Sequence, residues 1–210
     1  MSASASSVDA LLFDLGGVLV DVDFGRAVAA WARSAGKPLE ELRRRPLLHL
    51  SSAFQAHERG EIRDAVYFAA LRELFGLALS DEAIASGWNA IIGEPVPGMA
   101  TLVRDLAARL PLYVFSNTNA AHIEYFKPRH RELLAPFREV ICSCEIGCRK
   151  PEREAFEKVA ARIGAPPGRI GFFDDNPENV AGARALGMQA FHVGSLEDVR
   201  TGLGRLGLLP

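Results

Sequence analysis

A chain of 210 residues, 49% hydrophobic and 24% charged, has an ordinary globular composition, which argues against disorder and leaves room for one α/β domain with an insertion or for two small domains. The formal net charge of −2 gives no electrostatic case for nucleic acid or an anionic membrane, so any phosphate must be held by a local site. No apolar run approaches the ~20 residues of a membrane span, and residues 1–7 are small and polar, unlike a secretory signal, so a soluble, cytoplasmic chain is expected.

The first element is the apolar run Leu11-Leu12-Phe13, which ends on Asp14 and is followed by Gly16-Gly17. It reads as a buried strand that delivers a carboxylate to the edge of a sheet, with glycines that let the backbone turn or a ligand come close. Ligands of open α/β sheets sit outside the carboxyl ends of the strands, which makes Asp14 a candidate reactive group; the alternative is an Asp that only starts a turn. A helix over 26–35 follows, with Asp23 as N-cap and Gly36 as its stop. Residues 39–44, 48–58, 64–75 and 81–92 repeat apolar positions at three-to-four spacing, with Ser80 as an N-cap, and contain no strand-like alternation. This block predicts a small all-helical insertion between the first and second strands. Its charged break at 57–62 is either a solvated loop or a loop that faces Asp14 and reads a substrate. Trp31 and Trp88 serve either its core or an interface.

From Gly98 the pattern changes to helix–strand repeats. A helix over 99–110 leads into Leu112-Tyr113-Val114-Phe115 and then Ser116-Asn117-Thr118-Asn119, whose donors either hold phosphate oxygens or cap the helix over 120–126. A short strand over 139–142 precedes Lys150-Pro151, with Pro151 expected in the first turn of a helix over 152–163. A fourth strand ends on Asp174-Asp175, and adjacent carboxylates there are costly unless a hard divalent cation relieves them. A helix over 178–186, a strand over 189–193 and a final helix complete the chain, with His192 expected to pack in the core. Cys142, Cys144 and Cys148 lack the spacing and fourth ligand of a metal site and are read as free thiols. The sum is an α/β fold with a parallel, Rossmann-like sheet flanked by helices.

Asp14, Ser116, Lys150 and Asp174/Asp175, in that order and at carboxyl ends of predicted strands, resemble the motif set of the haloacid dehalogenase superfamily over essentially the whole chain. The segments FDLGGVLVDVDF, FSNTN, GCRKPE and FFDDNPENVAGARALGM look like the subgroup that holds the bacterial α-glucose-1-phosphate phosphatase, with the phosphatase domain of soluble epoxide hydrolase more distant. The resemblance implies a core of residues 8–23 and 96–210 and a helical cap of residues 24–95. It implies a phosphatase of a small phosphorylated metabolite, with Asp14 as nucleophile forming an aspartyl-phosphate. Mg²⁺ would be held by Asp14, the Gly16 backbone carbonyl and Asp175, with Asp174 sharing or supporting that role and Asn179 behind it. Ser116 and Asn117 would hold phosphoryl oxygens, and Lys150 would pair with both phosphate and Asp14.

One departure stands out: where most relatives carry a second Asp as general acid, this chain has Gly16. Losing such an acid costs about 10²–10⁴-fold unless something replaces it. Asp21, His57, Glu58 and a metal-polarised water are the candidate replacements. Two other functions therefore stay open, a catalytically weak protein that binds a ligand or partner, and a metal-independent 2-haloacid dehalogenase. The acidic pair speaks against the dehalogenase, because a metal-free site for a carboxylate substrate gains nothing from clustered carboxylates.

Overall fold

The computed structural model describes residues 8–44 and 51–209; the polar start of the chain and the first residues of the helix predicted over 48–58 lie outside them. Strand β1 (Ala10–Phe13) is followed by β2 (Val20–Val22) and by helices α1 (Phe24–Ala35), α2 (Leu39–Arg43), α3 (Ser52–Glu58), α4 (Asp64–Phe75) and α5 (Asp81–Asn89). After β3 (Ile92–Pro95) come α6 (Met99–Ala107), β4 (Leu112–Ser116), α7 (Ala120–Arg129), α8 (Arg131–Leu134), β5 (Glu139–Cys142) and α9 (Ser143–Ile146). The chain ends with α10 (Arg153–Ile163), a 3-10 turn, β6 (Ile170–Asp174), α11 (Pro177–Ala185), β7 (Gln189–His192) and α12 (Leu196–Arg205).

Five strands form one parallel sheet in the order β5-β4-β1-β6-β7. β1 lies at its centre because both of its faces are apolar. Leu11 and Phe13 point into one core, with α6 and α12; Ala10 and Leu12 point into the other, with α10 and α11. Burial on both faces is what turns a strand into a continuous apolar run, and it yields the α/β architecture that the sequence predicts. All five strands run the same way, so Asp14, Ser116, Asp174 and the loop carrying Lys150 emerge on one rim.

Several boundaries differ from the sequence reading. The stretch read as wholly helical contains β3, because α5 stops at Asn89; β3 pairs antiparallel with β2 beside the points where the chain leaves and regains the sheet. Pro151 lies ahead of α10 rather than in its first turn, and the Lys150–Pro151 peptide is cis. The caps at Asp23, Ser80 and Gly36 form as expected. Trp31 and Trp88 are fully buried in the core that α1 and α5 share with one face of the sheet. No helix among the described residues is long and apolar enough to cross a membrane.

Candidate active site

Asp14 follows β1 directly, and its backbone N–H still bonds Phe173 of the neighbouring strand at 2.8 Å. The chain then closes on itself, with Val20 and Leu19 donating to the Leu15 carbonyl at 2.9 Å and Gly17 donating to the Val20 carbonyl at 2.8 Å. Gly17 makes this turn possible in two ways. Its φ of +76° suits glycine, and a Cβ there would overlap the carboxylate of Asp175. The loop after β1 thus lies directly against the loop after β6.

Lys150 joins these loops. Its side chain is 1% exposed, and its ammonium contacts three oxygens: Asp14 Oδ1 at 2.7 Å, Asp174 Oδ2 at 2.7 Å and the Phe115 carbonyl at 2.8 Å. That matches its three protons, which is why so buried an ammonium is tolerated. Its backbone is fixed as well: Asn117 Oδ1 accepts from Lys150 N, and Asn117 Nδ2 donates to Lys150 O, both at 2.9 Å. The Asn117 side chain therefore orients Lys150, while Ser116 sits on the cavity wall. Asp174 accepts from Lys150, from Asn176 N at 2.8 Å and from Asn179 Nδ2 at 2.9 and 3.2 Å. Asp14 receives Leu15 N–H at 2.7 Å on Oδ1, the same oxygen that faces Lys150.

Carboxylate oxygens of Asp14, Asp174 and Asp175 lie within 4.8 Å of one another. Against three carboxylates the site sets one ammonium. Burial pushes the Asp14 carboxyl up to about 7; Lys150 pulls it down, and Asp174 and Asp175 push it further up. Asp175 is raised by burial and by Asp174, while against burial Asp14 and Asp174 hold Lys150 above its ordinary value. Hard oxygen donors with surplus negative charge are the chemistry that a small divalent cation fits.

Asp14, Lys150 and Asp175 line a cavity of about 450 Å³, with Asp174 buried behind them, and the helical block contributes further residues to its wall. Of the candidate replacements for a general acid, Glu58 reaches this cavity. His57 turns away to Asp64 (2.7 Å), and exposed Asp21 pairs with Arg26. The 57–62 segment is solvated only at its tip, Gly60 and Glu61: Glu58 is buried at the end of α3, with Oε2 2.6 Å from Arg149 Nε. Its backbone carbonyl accepts from Ser143 Oγ at 2.6 Å, and that hydroxyl accepts from Thr118 N at 2.9 Å. Gly60, with φ +71°, lets the same turn approach the Cys144 carbonyl. Burial pushes Glu58 above the usual carboxylate range in spite of Arg149.

Ser143 and Arg149 were not singled out from the sequence. Ser143 had the same signal as Ser116, a small polar residue at the carboxyl end of a strand. His192 is a correction: it is exposed and bonds the Asp175 carbonyl at 2.9 Å, because β7 is an edge strand whose last residue leaves the core. The three cysteines are free thiols, Cys142 and Cys148 buried, with burial raising each.

Residues 8–187 match the family model described as haloacid dehalogenase-like hydrolase. The chain is 29% identical over 206 residues to a phosphatase of Mycobacterium tuberculosis, covering 95% of this chain and 93% of that one. It is 25% identical over 186 residues to D-ribitol-5-phosphate phosphatase of Bacteroides thetaiotaomicron, covering 86% and 89%. The fold is similar to the crystal structure of a wild-type HAD family enzyme from the same species in complex with magnesium and inorganic phosphate. The TM-score is 0.74 at 27% identity, over 88% of this chain and 93% of that one.

Proposed function

This chain belongs to the haloacid dehalogenase-like hydrolases, and from that premise we propose that it hydrolyses a small phosphorylated metabolite, such as a sugar phosphate, through an aspartyl-phosphate on Asp14. The observation that carries this reading is the Lys150 ammonium held between Asp14 and Asp174, with Asp175 beside them, on the wall of one cavity. The similarity to phosphatases over nearly the full length of each chain supports it.

In the mechanism, Asp14 attacks phosphorus and the ester oxygen leaves with its electron pair; water then cleaves the acyl phosphate and frees Asp14. Lys150 orients the attacking carboxylate and offsets negative charge as the phosphoryl group transfers. The Ser116 hydroxyl and the Asn117 backbone N–H bind phosphoryl oxygens, while the Asn117 side chain keeps Lys150 in register. Asp14, Asp175 and the Gly16 carbonyl would hold Mg²⁺, with Asp174 and Asn179 supporting them. Bound there, the ion supplies charge neutralisation between two anions, the carboxylate and the phosphate. Gly16 donates no proton to the leaving oxygen, which favours esters whose leaving oxygen is weakly basic, as in a sugar 1-phosphate. Residues 24–95 act as a cap over the core of 8–23 and 96–210, gating access of substrate and water.

A metal-free dehalogenase fits less well, since nothing in its chemistry uses three clustered carboxylates. The test is p-nitrophenyl phosphate hydrolysis with and without Mg²⁺, beside Asp14→Asn. Metal-dependent turnover abolished by the substitution is the expected result. Turnover no higher than that of Asp14→Asn overturns the reading.

A further inference from the structure

We propose that the leaving-group end of the Asp14 cavity is built for an uncharged moiety with an apolar face, and that it rejects phosphomonoesters carrying a second anionic group. This rests on the phosphatase reading and names its substrate class.

The first argument is charge. Among the described residues lining the cavity the cations are Lys150 and Arg149, and both are matched. Lys150 lies between Asp14 and Asp174, and Arg149 is pinned by the buried Glu58 at 2.6 Å. Glu178 adds further negative charge to the same wall. A second carboxylate or phosphate on the substrate would thus meet no spare cation, and beside Glu58 it would meet a like charge. Neutral hydroxyls face no such penalty. The Arg149 guanidinium has five N–H donors, of which Glu58 engages one at Nε.

The second argument is shape and polarity. The helical block contributes Phe24, Phe54 and Trp88 to the cavity, with Phe24 and Phe54 rings in edge contact at 6.2 Å and Phe54 and Trp88 at 6.1 Å. Phe54 and Trp88 are buried, whereas Phe24, the first residue of α1, is 38% exposed. An aromatic ring left partly in water on the wall of a reaction cavity gains when an apolar face covers it. The pyranose ring of a sugar, an aryl ring or an alkyl body each offers such a face, whereas an extended polyol offers little.

The test compares phenyl phosphate with 4-carboxyphenyl phosphate, whose leaving phenols have similar acidity, and adds glycerol 3-phosphate as a small polyol ester. All are assayed on the Mg²⁺-supplemented wild-type chain. Phenyl phosphate is expected to have the higher kcat/KM, by roughly tenfold or more over the carboxylated ester. Glu58→Gln, which frees the Arg149 charge, is expected to raise the carboxyphenyl-to-phenyl ratio by about tenfold. Phe24→Ala, at a partly exposed position and with its fold verified by circular dichroism, is expected to lower the phenyl-to-glycerol ratio by roughly five- to tenfold. Equal turnover of the charged and neutral aryl esters by wild type overturns the proposal and leaves the phosphatase reading standing. So does a Phe24→Ala variant with an unchanged phenyl-to-glycerol ratio. Failure to hydrolyse any of the three, or p-nitrophenyl phosphate, is instead the failure of the phosphatase reading, and the proposal falls with it.

Discussion

Lys150 Nζ lies 2.7 Å from Asp14 Oδ1, and this contact ties the loop after β1 to the loop ahead of α10, with the Lys150 side chain 1% exposed and that of Asp14 12% exposed at the cavity wall. Lys150→Met removes the cation and leaves Asp14 and Asp174 facing one another. Breaking a buried pair in this way costs about 3–5 kcal/mol. The expected outcome is a drop of that order in urea-unfolding free energy at pH 8, with hydrolysis at background. Asp14 already holds its proton up to about pH 7 with Lys150 present, so without it the native state binds that proton more tightly. The stability deficit therefore shrinks as the pH is lowered from 8 to 6. Equal deficits at both values would mean that Asp14 does not carry the cost.

Asn179 Nδ2 reaches both oxygens of Asp174, at 2.9 and 3.2 Å, and so fixes the carboxylate that in turn fixes Lys150. Asn179→Ala is expected to raise the Mg²⁺ concentration for half-maximal activity, or to lower kcat, by about 10–100-fold, the usual cost of losing a support behind a metal ligand. A Mg²⁺ titration of p-nitrophenyl phosphate hydrolysis reads both. Unchanged titration and turnover would remove Asn179 from the site.

Gly17 and Gly36 both have positive φ, but only Gly17 has a neighbour where a Cβ would go. Gly36→Ala costs backbone strain alone, about 1 kcal/mol, and leaves activity intact. Gly17→Ala adds an overlap with the Asp175 carboxylate and is expected to cost about 1–3 kcal/mol and most of the activity. Parallel thermal melts and assays of the two variants separate strain from displacement of Asp175.

The rim of this sheet was legible in the sequence because each of its groups follows a fully buried strand. Asp14, Ser116 and Asp174 end apolar runs, and a parallel sheet brings all such ends to one edge. The caps at Asp23 and Ser80 were equally local signals. What the sequence concealed were contacts between distant segments. Glu58 reads as part of a charged surface turn until the fold brings Arg149 and Ser143 against it. Asn117 reads as a phosphate donor until its amide is found on the Lys150 backbone. β3 was hidden because a four-residue strand containing a glycine and a proline has too few positions to reveal an alternation.

His122 contributes stability that is lost on the acid side. It stacks on Trp88 at 4.6 Å, donates Nε2–H to the Trp88 carbonyl at 3.2 Å and accepts from Asn119 Nδ2 at 3.1 Å, so it joins α7 to α5 as a neutral ring. Burial lowers it from 6.5 to about 3. His57, also buried, is lowered by the same cause in spite of Asp64. A base whose folded value is depressed binds its proton in the unfolded chain first. Its contribution is therefore complete above about pH 6.5 and is lost as the pH falls from there toward its folded value. For His122 the loss approaches about 1.4 kcal/mol per pH unit within that window, and His57 adds to it in the same direction. Raised carboxyls such as Asp14 work in the opposite sense as the pH falls, so the histidine share is read as the difference between wild type and variant in urea-unfolding free energy at pH 7.5, 6.5 and 5.5. His122→Gln is expected to be less stable at pH 7.5, because it loses the Trp88 stack, and to have a flatter profile below 6.5. Parallel profiles for variant and wild type would assign the acid sensitivity to other groups.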